Sequence, residues 1–178
     1  MKGILEFLSI ADQLSKKFTN IKFNIVGSGI LEKKVEDFLN NNKDININFI
    51  KVLEHNKVID FIKNMDLYVS INKRGNLSNA TLECISQGLV TFVLNEDEKT
   101  KKDYFTNEFL VDNIFFKIDR INIVESAVNQ IVKLIDNHNL INKHKFETLE
   151  FAKKNLNLWN NRIETEIKII KDIINDKK

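Results

Sequence analysis

At 178 residues with 43% hydrophobic content, the chain can bury one ordinary core, so a single domain spanning 1–178 is expected and a second does not fit. Lys+Arg 27 against Asp+Glu 25 gives a formal net charge of +2, with both signs interspersed throughout, which leaves no basic footprint for nucleic acid. Apolar runs stop well short of the roughly 18 residues a membrane span needs, and the first residues lack a signal-peptide layout. A cytoplasmic protein with at most peripheral membrane contact is the expectation.

Residues 3 to 18 place Ile4, Leu8, Ala11, Leu14 and Phe18 at helical spacing. Lys22 to Val26 then reads as a strand, and Gly27-Ser28-Gly29 leads into a helix marked by Leu31, Val35, Phe38 and Leu39. A strand over Ile45 to Ile50 comes next, then a helix striped by Val58, Ile59, Ile62 and Met65, and a strand from Asp66 to Ile71. A polar loop, Gly75-Asn76-Leu77, opens a helix of about two turns beginning at Ser78 or Asn79 and closed by Gly88; Leu89 to Leu94 forms a buried strand behind it. Asn95 to Asp103 is a charged loop, Asn113 to Ile118 the last strand, and Ile121 to Asn137 a helix. The 139–178 segment is helical, with one helix over 139–155 and another over 158–174 that carries Ile163, Ile167, Ile170 and Ile174 on one face. Strand and helix alternate as in an α/β, Rossmann-like parallel sheet flanked by helices, with helices at the carboxyl end.

The block from Asp66 to Leu94 is a βαβ unit with its loop at the carboxyl end of a strand. Ligands of open parallel sheets bind outside those ends, and a helix beginning at Ser78 or Asn79 offers unpaired N–H groups and a positive dipole end to an anion. The amides of Leu77, Ser78, Asn79 and Ala80 are therefore a candidate diphosphate cradle, although Ser78 or Asn79 can equally be a simple helix cap.

Other groups carry weaker signals. In Gly27-Ser28-Gly29-Ile30-Leu31-Glu32, Glu32 stands where the dinucleotide fingerprint has its third glycine, which argues against a nicotinamide site. Cys84 is the single cysteine, so no internal disulfide can form, and its place beside Ile85 suits core packing. His55, His138 and His144 are scattered, the last two six residues apart, which is not a helical metal pair; surface positions are expected for all three. Glu96-Asp97-Glu98 is answered by Lys99, Lys101 and Lys102 and reads as solvated surface.

Leu82-Glu83-Cys84-Ile85-Ser86-Gln87-Gly88 resembles the second half of the Glu, seven residues, Glu motif of retaining glycosyltransferases of the two-domain GT-B fold, in the family 4 group. The first Glu of that motif would fall at position 75, where this chain has Gly75. The resemblance extends over Lys2-Gly3, Phe23 to Gly29, Asn48 to Leu53, Val58 to Ser70 and Leu158-Trp159, and takes in all five glycines. It implies the carboxyl-terminal, donor-binding domain of such an enzyme, lacking the first strand of its sheet and an amino-terminal acceptor domain, which a partner chain could supply.

The resemblance also implies roles. Glu83 would hold the donor ribose, the amides of residues 77 to 80 its phosphates, and Lys2 a positive charge beside them; Val52, Leu53 and Glu54 would line the base pocket and Asn76 contact the sugar. No cofactor or catalytic metal is implied. The alternatives are a catalytically incompetent fragment, a binding or regulatory module that pairs with a separate acceptor-domain chain, and a generic α/β domain.

Overall fold

The computed structural model describes residues 3–156 and 159–175, the side chains of 159–162 excepted. In chain order it runs α1 (Ile4–Ser15), β1 (Phe23–Val26), α2 (Glu32–Asn41), β2 (Ile47–Ile50), α3 (His55–Ile62), β3 (Leu67–Ser70), α4 (Asn79–Ser86), β4 (Val90–Leu94), α5 (Tyr104–Phe109), β5 (Phe116–Ile118), α6 (Ile123–Ile135), α7 (His138–Asn155) and α8 (Trp159–Asn175). The alternation is the one the periodicity predicts.

Every residue of β4 is buried, and its side chains divide by parity, because successive residues of a strand point to opposite faces. Val90, Phe92 and Leu94 enter a core with Ile10, Ala11 and Leu14 of α1 and Ala127, Val128 and Ile131 of α6. Val93 joins Ile85 of α4, Leu110, Phe115 and Ala152 of α7 on the other side. Helices thus cover both faces, the condition for an all-parallel sheet.

All strand pairs are parallel, with Phe23 opposite Ile47 in β1 and β2, Leu67 opposite Val90 in β3 and β4, and Phe92 opposite Phe116 in β4 and β5. The sheet is in two pieces, β1-β2 and β3-β4-β5, with no ladder between β1 and β3 among the described residues. Side chains make the joint instead: Phe23 and Ile71 share a core cluster, and Asn24 Nδ2 donates to Met65 Sδ at 3.2 Å. One edge of β1 and one of β3 therefore have no strand partner among the described residues, a destabilising feature wherever water is excluded from their backbone groups. Gly3 (φ +58) sits against the end of β3, where an added Cβ would lie 2.3 Å from Ile71 Cγ2, so only glycine fits.

Two elements depart from the sequence reading. The expected strand over 113–118 shortens to Phe116–Ile118, because the amides of Ile114 and Phe115 turn back to Val111 O at 3.1 and 3.0 Å. α5 was not expected; its six residues are too few for a 3.6-residue periodicity to register. It starts from Asp103, whose φ of +65 is unusual for a non-glycine residue.

Gly88 ends the turn after α4 at φ +73, and a Cβ there would meet Lys145 O at 3.0 Å and Leu149 Cβ at 3.2 Å on α7. Gly88→Ala therefore combines backbone strain with a steric conflict, and a loss of about 1–3 kcal/mol is expected. Urea denaturation of the variant beside the parent chain measures it.

Candidate functional site

The loop between β3 and α4 folds on its own polar groups. Asn72 Oδ1 accepts the Arg74 amide at 3.1 Å, and the Gly75 amide returns to Asn72 O at 3.2 Å. Asn76 is fully buried. Its Nδ2 donates to Leu94 O at the end of β4 at 2.5 Å, its Oδ1 has no partner, and its carbonyl accepts both Thr81 Oγ1 at 2.8 Å and the Ser78 amide at 3.0 Å.

Ser78 is the N-cap of α4, its Oγ accepting the Thr81 amide at 3.3 Å, the usual use of a serine at that place. The amides of Asn79 and Ala80 come next, and helical geometry leaves them without an intrahelical acceptor. Both residues are exposed. Of the four candidate cradle amides, that of Ser78 is already committed to Asn76, whereas Asn79 and Ala80 are exposed at the positive end of the helix dipole.

A cavity of about 100 Å³ lies here, lined by Tyr68, Val69, Ser70, Ile71, Asn72, Ser78 and Ala80. Small-molecule sites commonly run to roughly 300–1,000 Å³, so this space has room for a phosphate-sized group and not for a whole nucleotide. Burial pushes the Tyr68 phenol above its usual range, with the Thr81 hydroxyl working against the shift, so Tyr68 contributes no charge to the cavity lining.

Glu83 lies one turn further along α4 with its carboxylate partly exposed, and Oε1 is 3.9 Å from His55 Nδ1. His55 opens α3, immediately after Val52, Leu53 and Glu54. The fold thus brings the end of β2 beside Glu83. Val52 is 80% exposed, Leu53 is half-buried and Glu54 is exposed. Glu54 leaves its own helix uncapped and pairs with Lys57 at 2.9 Å. Lys2 and Leu158 lie outside the described residues.

The inward orientation of Asn76 differs from the sugar contact expected of it. The amide donates to a main-chain carbonyl in the core, because a buried polar group is costly unless it is bonded. The histidines also divide: His55 is 90% exposed at its side chain and His138 is exposed, but His144 packs edge-on against the Phe116 ring, centroids 4.8 Å apart. Asp97 is held by the amides of Lys99 and Thr100 at 3.1 and 3.2 Å. Among the described residues, no three His, Cys, Asp or Glu side chains are grouped to hold a metal ion.

Sequence reasoning missed Asp103, Arg120 and Lys73. Asp103 accepts the Asn76 amide at 2.7 Å and pairs with Arg120 at 2.5 Å. Lys73 pairs with Glu6 of α1 at 2.5 Å; burial, the largest single influence, pushes the Glu6 carboxyl up, but the hydrogen bond and charge of Lys73 together with a main-chain hydrogen bond outweigh it and the net shift is downward. Asp103 lay in what read as a solvated charged loop, and no local pattern marks it.

No family model matches the sequence, and no curated protein matches it. Solved structures do. The C-terminal domain of a glycosyl transferase group 1 family protein (LpcC) from Francisella tularensis superposes with a TM-score of 0.73 at 16% identity, over 88% of this chain and 80% of that one. The catalytic domain of cholesterol-alpha-glucosyltransferase from Helicobacter pylori gives 0.70 at 22% identity, over 86% and 90%. The pneumococcal O-GlcNAc transferase GtfA gives 0.77 at 14% identity over 97% of this chain. The chain spans only 33% of GtfA and 32% of TarM, another match. The fold is therefore that of the carboxyl-terminal domain of GT-B, group 1 glycosyltransferases.

Burial raises the Cys84 thiol to about 12, with Glu83 adding to the shift, and thiolate is the reactive form. Cys84 in the native chain is expected to resist alkylation by iodoacetamide at pH 8 and to react fully in denaturant, as mass spectrometry would read directly.

Proposed function

We propose that the chain is the donor-binding domain of a glycosyltransferase, holding a nucleoside diphosphate sugar for transfer to a glycan or lipid-linked acceptor of a cell-surface polymer. The observation that carries this reading is the open amino end of α4, facing a phosphate-sized cavity at the carboxyl end of β3 with Glu83 one turn behind it. Two of the structures with this fold contain the matching chemistry: GtfA was solved with UDP and GlcNAc, and a Staphylococcus aureus TarM variant with Fondaparinux, alpha-GlcNAc-glycerol and UDP.

In this proposal the amides of Asn79 and Ala80, with that of Leu77, take the diphosphate, and the helix dipole stabilises the negative charge that grows on it as the glycosidic bond breaks. Glu83 accepts two hydrogen bonds from the ribose diol. Val52, Leu53 and Glu54 stand on the base side, joined there by His55, and Lys2 supplies a cation at the phosphates. Ser78 holds the helix end, and Asn76 is assigned to holding the loop because its side chain is turned into the core. The reaction needs no resident metal in this scheme, and the transferred group is a hexose by resemblance. The 100 Å³ cavity covers the phosphates alone, so an acceptor domain, in the same protein or on a partner chain, would enclose the rest.

A second reading, a catalytically incompetent module that pairs with an acceptor-domain chain, is favoured by one observation, the two-piece sheet in which β1 and β3 each pair with one strand only among the described residues. Thermal-shift titration with UDP, GDP and ADP separates the two. A ligand that binds only the native state at a hundredfold excess over Kd stabilises it by about 2.7 kcal/mol, so one nucleotide is expected to raise the melting temperature saturably. Glu83→Ala is expected to weaken that nucleotide by about tenfold to a hundredfold, since hydrogen bonds to a charged group are worth roughly 1.5–3 kcal/mol. A cooperative melt unmoved by every nucleotide would leave the pairing module standing and remove the donor site.

A further inference from the structure

Asp103 occupies the N-cap position of α5, where an aspartate ordinarily bonds its own helix's first amides. It makes no such cap. Its carboxylate instead accepts the main-chain amide of Asn76 across 27 residues of sequence at 2.7 Å and, through its other oxygen, the Arg120 guanidinium at 2.5 Å. The side chain is only 3% exposed, and the backbone is held at φ +65, a conformation that costs a non-glycine residue energy and persists only where surrounding contacts enforce it.

The contacts continue in both directions. Arg120 Nε donates to Asn95 O, just past β4, and Lys102 Nζ donates to Lys73 O at 3.1 Å, so residues 102 and 103 grip the β3–α4 loop at two points. On the far side, the Asn76 carbonyl bonds Thr81 Oγ1 and the Ser78 amide, the two residues that shape the first turn of α4. The segments after β3, β4 and β5 are thus tied together at one carboxylate.

We propose that Asp103 is the positioning residue of the donor site: oriented by Arg120, it fixes Asn76 and through it the amino end of α4 whose amides take the diphosphate. This rests on the donor-domain reading above. Asp103 itself touches no ligand in this scheme. An electrostatic cradle made of amides is effective only if its donors are already aimed, and an eight-residue helix preceded by a polar loop has little of its own to hold that aim.

The test compares the wild-type chain with Asp103→Asn and Asp103→Ala by amide hydrogen exchange and by titration with UDP, GDP and ADP. Asp103→Asn keeps an acceptor of the same shape for the Asn76 amide and should fold. Asp103→Ala is expected to speed exchange at the hydrogen-bonded amides of Asn76, Ser78, Thr81 and Leu82 by tenfold or more while the β4 amides keep their protection, and to weaken the nucleotide that wild type binds by at least tenfold; Asp103→Asn should recover most of both. Exchange at Asn76, Ser78, Thr81 and Leu82 that stays at the wild-type rate in Asp103→Ala overturns the positioning role, as does undiminished nucleotide affinity. Loss of protection across β4 as well, not recovered by asparagine, would reduce Asp103 to a general stabiliser and overturn it too. If wild type binds none of the three nucleotides, the donor reading fails, and the exchange arm still decides whether Asp103 fixes the loop.

Discussion

The rest of the fold is built on β4. It is hydrogen-bonded on both sides, to β3 and β5, and Val90, Phe92, Val93 and Leu94 are all at 0% exposure. At roughly 25 cal/mol per Å² of apolar surface, a buried side chain of this kind contributes about 1.5–3 kcal/mol; the five-residue strand therefore outweighs any ion pair on the surface, where such pairs give at most about 1 kcal/mol. Its last carbonyl, Leu94 O, holds Asn76. The most fully buried strand therefore also holds the loop that precedes α4.

Function in this domain is argued from main-chain geometry more than from side-chain charge. Two cations near the loop are engaged, Lys73 with Glu6 and Arg120 with Asp103. What lines the cavity is uncharged: Tyr68, Ser70 and Asn72, the Ser78 cap and Ala80 of the first turn of α4. Such a surface suits a diphosphate, whose oxygens accept from aimed N–H groups without requiring a neighbouring ammonium.

The divided sheet sets the limits of the isolated chain. β1 and β2 are attached to the three-stranded piece through α1, the shared apolar core and side-chain contacts such as Asn24 with Met65, and not through a ladder. An unpaired strand edge is an open template for another strand. The end of α8 presents a comparable open surface, with Ile167, Ile170 and Ile174 each about half exposed. Both features are surfaces that the proposed assembly with an acceptor domain would cover.

The order of strands and helices, the helix opening at Ser78 and the burial of Leu89 to Leu94 were legible from the sequence, because each is set by local periodicity, a capping side chain or an apolar run. Glu83 was singled out by the pattern of its neighbours in the chain, and only the structure sets its carboxylate 3.9 Å from His55 Nδ1. The division of the sheet could be expected from the resemblance, but only the structure shows which strand edges stay unpaired. Asn76 could not be assigned from its neighbours: it reads as a polar loop residue, and its burial depends on a carbonyl 18 residues away. The same holds for Asp103, whose partners lie 27 and 17 residues distant, and for His144, which the packing of α7 brings onto the Phe116 ring. Sequence determined what short-range forces decide, namely which segments are helix or strand and which end of α4 is open. The tertiary structure decided where polar side chains find their partners, because burial and pairing across the fold are set by distances that no local pattern encodes.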